Sequence, residues 1–221
     1  MHKTRACDEN HLALTTFAVE TPHGPARVHL HDVETPRGAI VLGHGAGGGV
    51  AAPDLVAAKD VGLDEGFAVA LVEQPYRVAG RRSPAPARQL DAAWTAVVEH
   101  LLRDDLRGLP LLVGGRSSGA RVACRTSRAL GAVGVLCLAF PFQPPRRRSG
   151  AESPSRLDEL DAVTVPVLIV QGSRDQFGIP PATASRTVVQ VSSDHSLRTD
   201  LGAVAAAVRE WLRDRNRVGR R

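Results

Sequence analysis

The chain lacks the features that would place it in a membrane, outside the cell or on a nucleic acid. No apolar run approaches the roughly 18 residues of a membrane-spanning helix. The first residues, Met1-His2-Lys3-Thr4-Arg5-Ala6-Cys7-Asp8-Glu9, contain no apolar core of a secretory signal. Cysteine is scarce: Cys7, Cys124 and Cys137 are odd in number and share no metal-ligand spacing, which argues against a disulfide framework and a zinc site. The expectation is a reducing, cytoplasmic setting with no metal and no other cofactor. Lysine is scarcer still. Of 28 basic residues only Lys3 and Lys59 are lysine, so the net charge of +5 is almost wholly arginine, a bias of composition rather than a nucleic-acid surface. The clusters Arg146-Arg147-Arg148 and 213–221 have no interleaved aromatics and read as a solvated loop and a frayed tail, not as nucleic-acid or lipid contacts. There is also no internal repeat and no interdomain linker. With 221 residues and 43% hydrophobic content, the chain suits one domain, 1–221, with its core at about 14–212 and a basic tail at 213–221.

What is present is an alternation of strand and helix patterns. Residues 14–20 and 26–32 each alternate apolar with polar around Thr21-Pro22-His23-Gly24-Pro25, which predicts an antiparallel hairpin. His29 and His31 share one face of its second strand; without a third ligand nearby they read as an exposed strand face rather than a metal site. Short continuous apolar runs at 39–42, 67–72, 111–113, 133–140 and 165–170 suit strands buried on both faces, and 187–191 adds a last short strand. Helical patterns lie at 53–65, at 88–106 with Leu90, Trp94, Val97, Val98 and Leu101 at helical spacing, after residue 117, and at 200–213. The class is α/β: a mostly parallel sheet of about eight strands with helices on both faces. The Pro-, Arg- and Ser-rich stretch 143–156 reads as a surface loop.

The stretch around which this order turns is Leu111-Leu112-Val113-Gly114-Gly115-Arg116-Ser117-Ser118-Gly119-Ala120-Arg121: an apolar strand, Gly-x-Ser-x-Gly, then a helix start. A serine on so sharp a turn stands clear of the backbone as a nucleophile, and its flanks leave no room for a Cβ. Such a serine needs a base and an acid to orient it. His195 is the only histidine after Ser117, and it lies in a polar loop between the last strand and the closing helix. Asp175 follows the strand Val167-Leu168-Ile169-Val170 beyond the strand-breaking Gly172, where a loop can carry its carboxylate to the imidazole. Asp158 and Asp161 precede that strand and fall at its wrong end, and Asp194 beside His195 ranks well behind Asp175. The order Ser, Asp, His is one of the three familiar orders of these groups.

An oxyanion needs two donors. One is expected from the backbone N–H of Ser118; the other from the loop His44-Gly45-Ala46-Gly47-Gly48, where Ala46 is favoured with Gly45 and Gly47 close behind. That loop lacks Gly-Lys-Ser/Thr and does not match a dinucleotide fingerprint, so a phosphate cradle is the weaker reading, and His44 reads as holding the loop in place rather than as a base. Tyr76, Arg77 and Phe142 follow parallel strands and are expected at the pocket mouth; Arg77, Arg81 and Arg82 read as solvated rather than as an anion site. Cys124 and Cys137 read as buried apolar residues.

Together, Gly43-His44-Gly45-Ala46-Gly47-Gly48, Gly114-Gly115-Arg116-Ser117-Ser118-Gly119-Ala120-Arg121, Gln171-Gly172-Ser173-Arg174-Asp175-Gln176-Phe177-Gly178 and Ser193-Asp194-His195-Ser196 resemble the α/β-hydrolase superfamily. More narrowly they resemble its small dienelactone-hydrolase-like branch, over about residues 14–212. Ser118 departs from the methionine, leucine or glutamine more usual there. The resemblance implies an α/β-hydrolase fold without a separate lid domain, and a serine hydrolase acting on small-molecule esters or thioesters. A catalytically silent binding or scaffold protein, and an acyl or peroxide transferase using the same serine, remain alternatives. Oligomeric state is left open.

Overall fold

The computed structural model describes residues 4–7, 13–144 and 153–218. Nine strands form one sheet: β1 (Thr4–Cys7), β2 (Ala13–Val19), β3 (Ala26–Asp32), β4 (Ala39–Gly43), β5 (Ala68–Glu73), β6 (Leu111–Arg116), β7 (Gly134–Leu138), β8 (Val167–Gly172) and β9 (Arg186–Val191). Their order across the sheet is β1-β2-β3-β5-β4-β6-β7-β8-β9. The expected hairpin is β2 and β3, paired antiparallel from Ala13 opposite Asp32 to Val19 opposite Ala26. β1 adds a ninth strand at the hairpin's free edge. From β5 to β9 every pairing is parallel.

Residues of each buried strand alternate between two apolar layers, as the two-residue period of a strand requires. In β4, Ala39 and Val41 face one layer while Ile40 and Leu42 face the other; in β8, Val167 and Ile169 divide in the same way from Leu168 and Val170. The first layer is closed by α3 (Ala87–Arg103), through Leu90, Trp94, Val97, Val98 and Leu101, and by α4 (Ser118–Thr126). The second is closed by α1 (Pro53–Asp64) and α6 (Leu201–Val218). Arg209 of α6 bonds both Asp64 and Glu65 at the end of α1, tying those two helices together. α6 continues to Val218, beyond the expected end at Arg213, whose guanidinium bonds Glu65.

Two short helices lie where the sequence pattern suggests only loop. α2 (Pro75–Val78) is one turn after β5, and α5 (Leu157–Asp161) is one turn ahead of β8. The described residues between β7 and β8 hold α5 and connecting loop, with no lid domain. The middle of the 143–156 stretch, including Arg146, Arg147 and Arg148, lies outside the described residues. One expectation needs correcting. His29 and His31 are half-buried rather than on an exposed face: His29 contacts Thr16 and Glu73. Burial, with Lys59 of α1 nearby, pushes His31 down to about 4.

The chain winds outward from β4 through β5 on one side and from β6 through β9 on the other. The reversal between β4 and β6 leaves a crevice at the carboxyl ends of those strands, where open α/β sheets place their ligands. The loop after β4 and the turn after β6 meet there.

Candidate active site

The turn after β6 is as tight as its glycines require. Ser117 sits at φ 51°, ψ −106°, between strand and helix, a sparsely populated conformation that costs about 1–3 kcal/mol and survives only where surroundings enforce it. The Ser117 N–H bonds the Leu138 carbonyl of the neighbouring strand at 2.9 Å. A Cβ on Gly119 would collide with the carbonyls of Gly43 and His44, and one on Gly115 with the carbonyl of Gly43. α4 is thereby seated directly on the end of β4, and Ser117 is held beside the loop that follows.

His195 arrives by a different device. The loop after β9 is laced to the loop after β8: Ser173 N–H bonds the Val191 carbonyl at 2.9 Å and Arg174 N–H the Ser193 carbonyl at 3.0 Å. A Cβ at Gly172 would strike the Asp194 and Ser193 carbonyls, so this close approach demands glycine. The lacing brings the three side chains into line. His195 Nδ1 lies 2.8 Å from Asp175 Oδ2, and His195 Nε2 lies 3.0 Å from Ser117 Oγ. With Nδ1–H donating to the carboxylate, Nε2 accepts from the serine hydroxyl. Asp175 is held from both ends: Oδ1 accepts from the Phe177 N–H at 2.9 Å, and Oδ2 also accepts from Gln171 Nε2 at 2.8 Å. The Phe177 ring stands edge-on to the imidazole, centroids 4.5 Å apart. Asp194 is turned away and bonds Ser196, and Asp161 pairs with Arg186.

The loop after β4 faces the serine. A Cβ on Gly45 would come 3.6 Å from Ser117 Cβ. His44 fixes the loop from behind: its Nε2 accepts the Gln74 N–H at 3.1 Å, so Nδ1 carries the proton and donates to the Gly45 carbonyl at 2.8 Å. Burial pushes His44 below the usual imidazole range, in keeping with this neutral, doubly bonded form. The Tyr76 hydroxyl donates to the Ala46 carbonyl at 2.9 Å. The N–H of Ala46 and the N–H of Ser118, first residue of α4, donate to no other group among the described residues.

Of the residues expected at a pocket mouth, Tyr76 is only 6% exposed and forms a wall behind the loop, with its ring against His44. Arg77 is half-buried, and Phe142 packs partly on the core. Behind Tyr76 lies a mostly apolar cleft of about 380 Å³, bounded by Pro25, Pro75, Val78, Leu90 and Ala93, with Arg81 at its edge. Ser117, Asp175 and His195 do not line it. Among the described residues no three His, Cys, Asp or Glu side chains group to hold a metal ion, and no helix is long and apolar enough to cross a membrane. Cys124 and Cys137 are buried thiols with their sulfurs 3.6 Å apart.

Several residues of the site carry no marked role in the sequence. Gln171 had one usable signal, a polar side chain ending an otherwise apolar strand, and it is wholly buried. Asp54 reads as an ordinary first-turn acid of a helix, and Arg116 as the free position of Gly-x-Ser-x-Gly. Their pairing, with Nε 2.9 Å from Oδ2, is visible only in three dimensions.

A family model described as an alpha/beta hydrolase domain matches residues 36–200. No curated protein sequence matches at a significant level. Solved structures share the fold at low identity. A serine hydrolase without a lid from Xanthomonas campestris superposes with a TM-score of 0.69 at 19% identity, covering 93% of this chain and 97% of that one. Dienelactone hydrolase from Anabaena variabilis gives 0.72 at 17%, covering 93% and 99%. Est1E from Butyrivibrio proteoclasticus, in a complex with ferulic acid, gives 0.71 at 16%, covering 90% and 98%. By a family match over most of its length, and with the fold of lidless, dienelactone-hydrolase-like members, the chain belongs to the α/β-hydrolase family.

Proposed function

We propose that this protein is a serine hydrolase that cleaves small-molecule carboxylic esters or thioesters through an acyl-enzyme on Ser117. The observation that carries the reading is the continuous relay from Ser117 Oγ to His195 Nε2, 3.0 Å, and from His195 Nδ1 to Asp175 Oδ2, 2.8 Å. As Oγ attacks the acyl carbon, His195 takes its proton, and the imidazolium so formed is stabilised by Asp175. The freed N–H groups of Ala46 and Ser118 receive the oxyanion. His195 then returns the proton to the departing alkoxide or thiolate. Water, deprotonated by the same imidazole, attacks the acyl carbon; the acyl–Oγ bond breaks, the imidazolium returns the proton to Ser117 Oγ, and the carboxylic acid is released. No cofactor takes part in this scheme, its setting is the cytoplasm, and nucleic acids and membranes are not its partners.

Among the described residues no lid domain covers the site, which suits short or extended acyl groups. The ferulic acid bound to Est1E makes arylacyl esters a sensible member of a test panel. A fluorophosphonate probe is expected to label the wild-type protein at Ser117, mapped by mass spectrometry. Ser117→Ala should abolish labelling and lower turnover of the best ester, in a panel of graded acyl length, by on the order of 10⁴-fold or more. A folded wild-type protein that neither labels nor turns over any ester or thioester would overturn the proposal. Dominant transfer to an added alcohol or peroxide would recast it as a transferase.

A further inference from the structure

We infer that Arg116, clamped by the buried Asp54, is a positioning residue that holds the His195 loop and the Gly45–Ala46 loop in register around Ser117. This inference rests on the hydrolase reading above and assigns a role to the residue immediately before the nucleophile.

One guanidinium reaches the His195 loop, the loop after β4 and the first turn of α1. Its Nη2 donates to the backbone carbonyl of His195 at 3.0 Å. Its Nη1 lies so near the loop after β4 that a Cβ on Gly45 would come within 2.9 Å of it. Its Nε lies 2.9 Å from Oδ2 of Asp54 in the first turn of α1. Arg116 itself is part of β6 and is joined to Ser117 by one peptide bond. A planar guanidinium spreads its donors over three nitrogens in a rigid fork and so spans groups on three segments, whereas lysine's three donors sit on one nitrogen and cannot cover the same distance.

The clamp is built at a cost, which argues that it does more than fill space. Asp54 is wholly buried, and its carboxylate faces the Arg116 guanidinium at 2.9 Å, with the backbone N–H groups of Asp54 and Leu55 beside it. Burial pushes the Asp54 carboxyl above its ordinary range even with Arg116 beside it. A buried ion pair of this kind contributes little net stability and is better explained by the arrangement it enforces. What it enforces is the height of His195 over Ser117. The His195 side chain is fixed at its Nδ1 by Asp175, but its backbone carbonyl is tethered by Arg116. Loss of that tether lets the loop shift while the imidazole keeps its acid. A displacement of about 1 Å at a reacting group is worth on the order of 10²-fold in rate.

The test compares Arg116→Gln, Arg116→Lys and the doubly neutral pair Asp54→Asn with Arg116→Gln, each checked for folding by thermal melting. Steady-state turnover of the best ester would be measured well below the melting temperature. Expected for each is a kcat reduced by about 10²-fold with KM within about threefold, since the reacting groups and not the substrate contacts are displaced. The low-field proton signal of the His195–Asp175 hydrogen bond should persist. Arg116→Gln leaves Asp54 uncompensated and is the variant most exposed to misfolding, which is why the neutral pair is included. If the pair melts like wild type and recovers full kcat, Arg116 only compensated a buried charge and the inference is overturned. Arg116→Lys at wild-type kcat would overturn it equally. Absence of activity in the wild type is a different outcome, and it strikes the hydrolase reading itself.

Discussion

A Cβ added at Gly119 would run into the carbonyls of Gly43 and His44, whereas one added at Gly47 or Gly48 would meet no atom within 4 Å. These glycines border the same crevice and come from two motifs that look alike in the sequence. Beside the nucleophile, glycine is demanded by the protein's own backbone, because α4 must sit on the end of β4. On the facing loop Gly45 is crowded by Arg116, but farther along, at Gly47 and Gly48, nothing among the described residues fills the space. Crowding marks the part of the site that is built by packing. Openness marks the part that packing leaves free.

Three measurements probe that contrast. Gly119→Ala carries the largest expected effect, a loss of about 3 kcal/mol or more, because the new methyl meets backbone that no rotamer change can move. Urea unfolding would measure it, and a loss below about 1 kcal/mol would mean the seat of α4 on β4 is not rigid. An intermediate effect comes from the loop's own anchor. His44 is neutral in the fold with its pKa lowered by burial, so the unfolded chain binds the proton more readily. Its contribution is present in full above about pH 6.5, the ordinary imidazole value, and is lost as pH falls from there through the lower folded value. His31, down at about 4, has the same sign over the window from about 6.5 to 4 but sits away from the loop. Melting temperature should therefore decline between pH 7 and pH 5, and His44→Gln, which keeps a donor and an acceptor, should flatten part of the decline; an unaltered slope in that variant would show that His44 charges without disturbing the loop. The smallest effect is expected for Gly47→Ala, whose stability should stay within about 0.5 kcal/mol of wild type. A marked loss there, read in the same urea series, would erase the distinction between the two motifs.

The same contrast explains what the sequence made legible. Buried parallel strands announce themselves as unbroken apolar runs, so β4, β5, β6, β7 and β8 fall close to where 39–42 and the other runs place them. The meeting of Ser117, Asp175 and His195 was readable because strand order sets which loops share the crevice, and a single histidine follows the serine. Features that depend on a distant partner were not readable. Asp54 and Arg116 each fit a local explanation, and nothing in the linear order joins them. The half-burial of His31 and the nearness of Lys59 of α1 are set by the surrounding fold, which no alternation along β3 reports. α2 and α5 are single turns, too short to show a period. Tyr76 lines the cleft beside the loop, and its hydroxyl also holds the Ala46 carbonyl, a bond that no local pattern around Pro75 reports.

The sheet order has a consequence for how the molecule comes into being. From β6 to β9 the strands lie side by side in the order the chain makes them, and the residue that would serve as base follows the last of them. A nascent chain that has laid down β6 already owns its serine but has no partner for it until β9 has docked and the two outer loops are laced. Contacts so far apart along the chain close late, after their loop entropy has been met. The contact between Ser117 and His195 is thus among the last of these to close, once β9 has docked and the loops after β8 and β9 are laced.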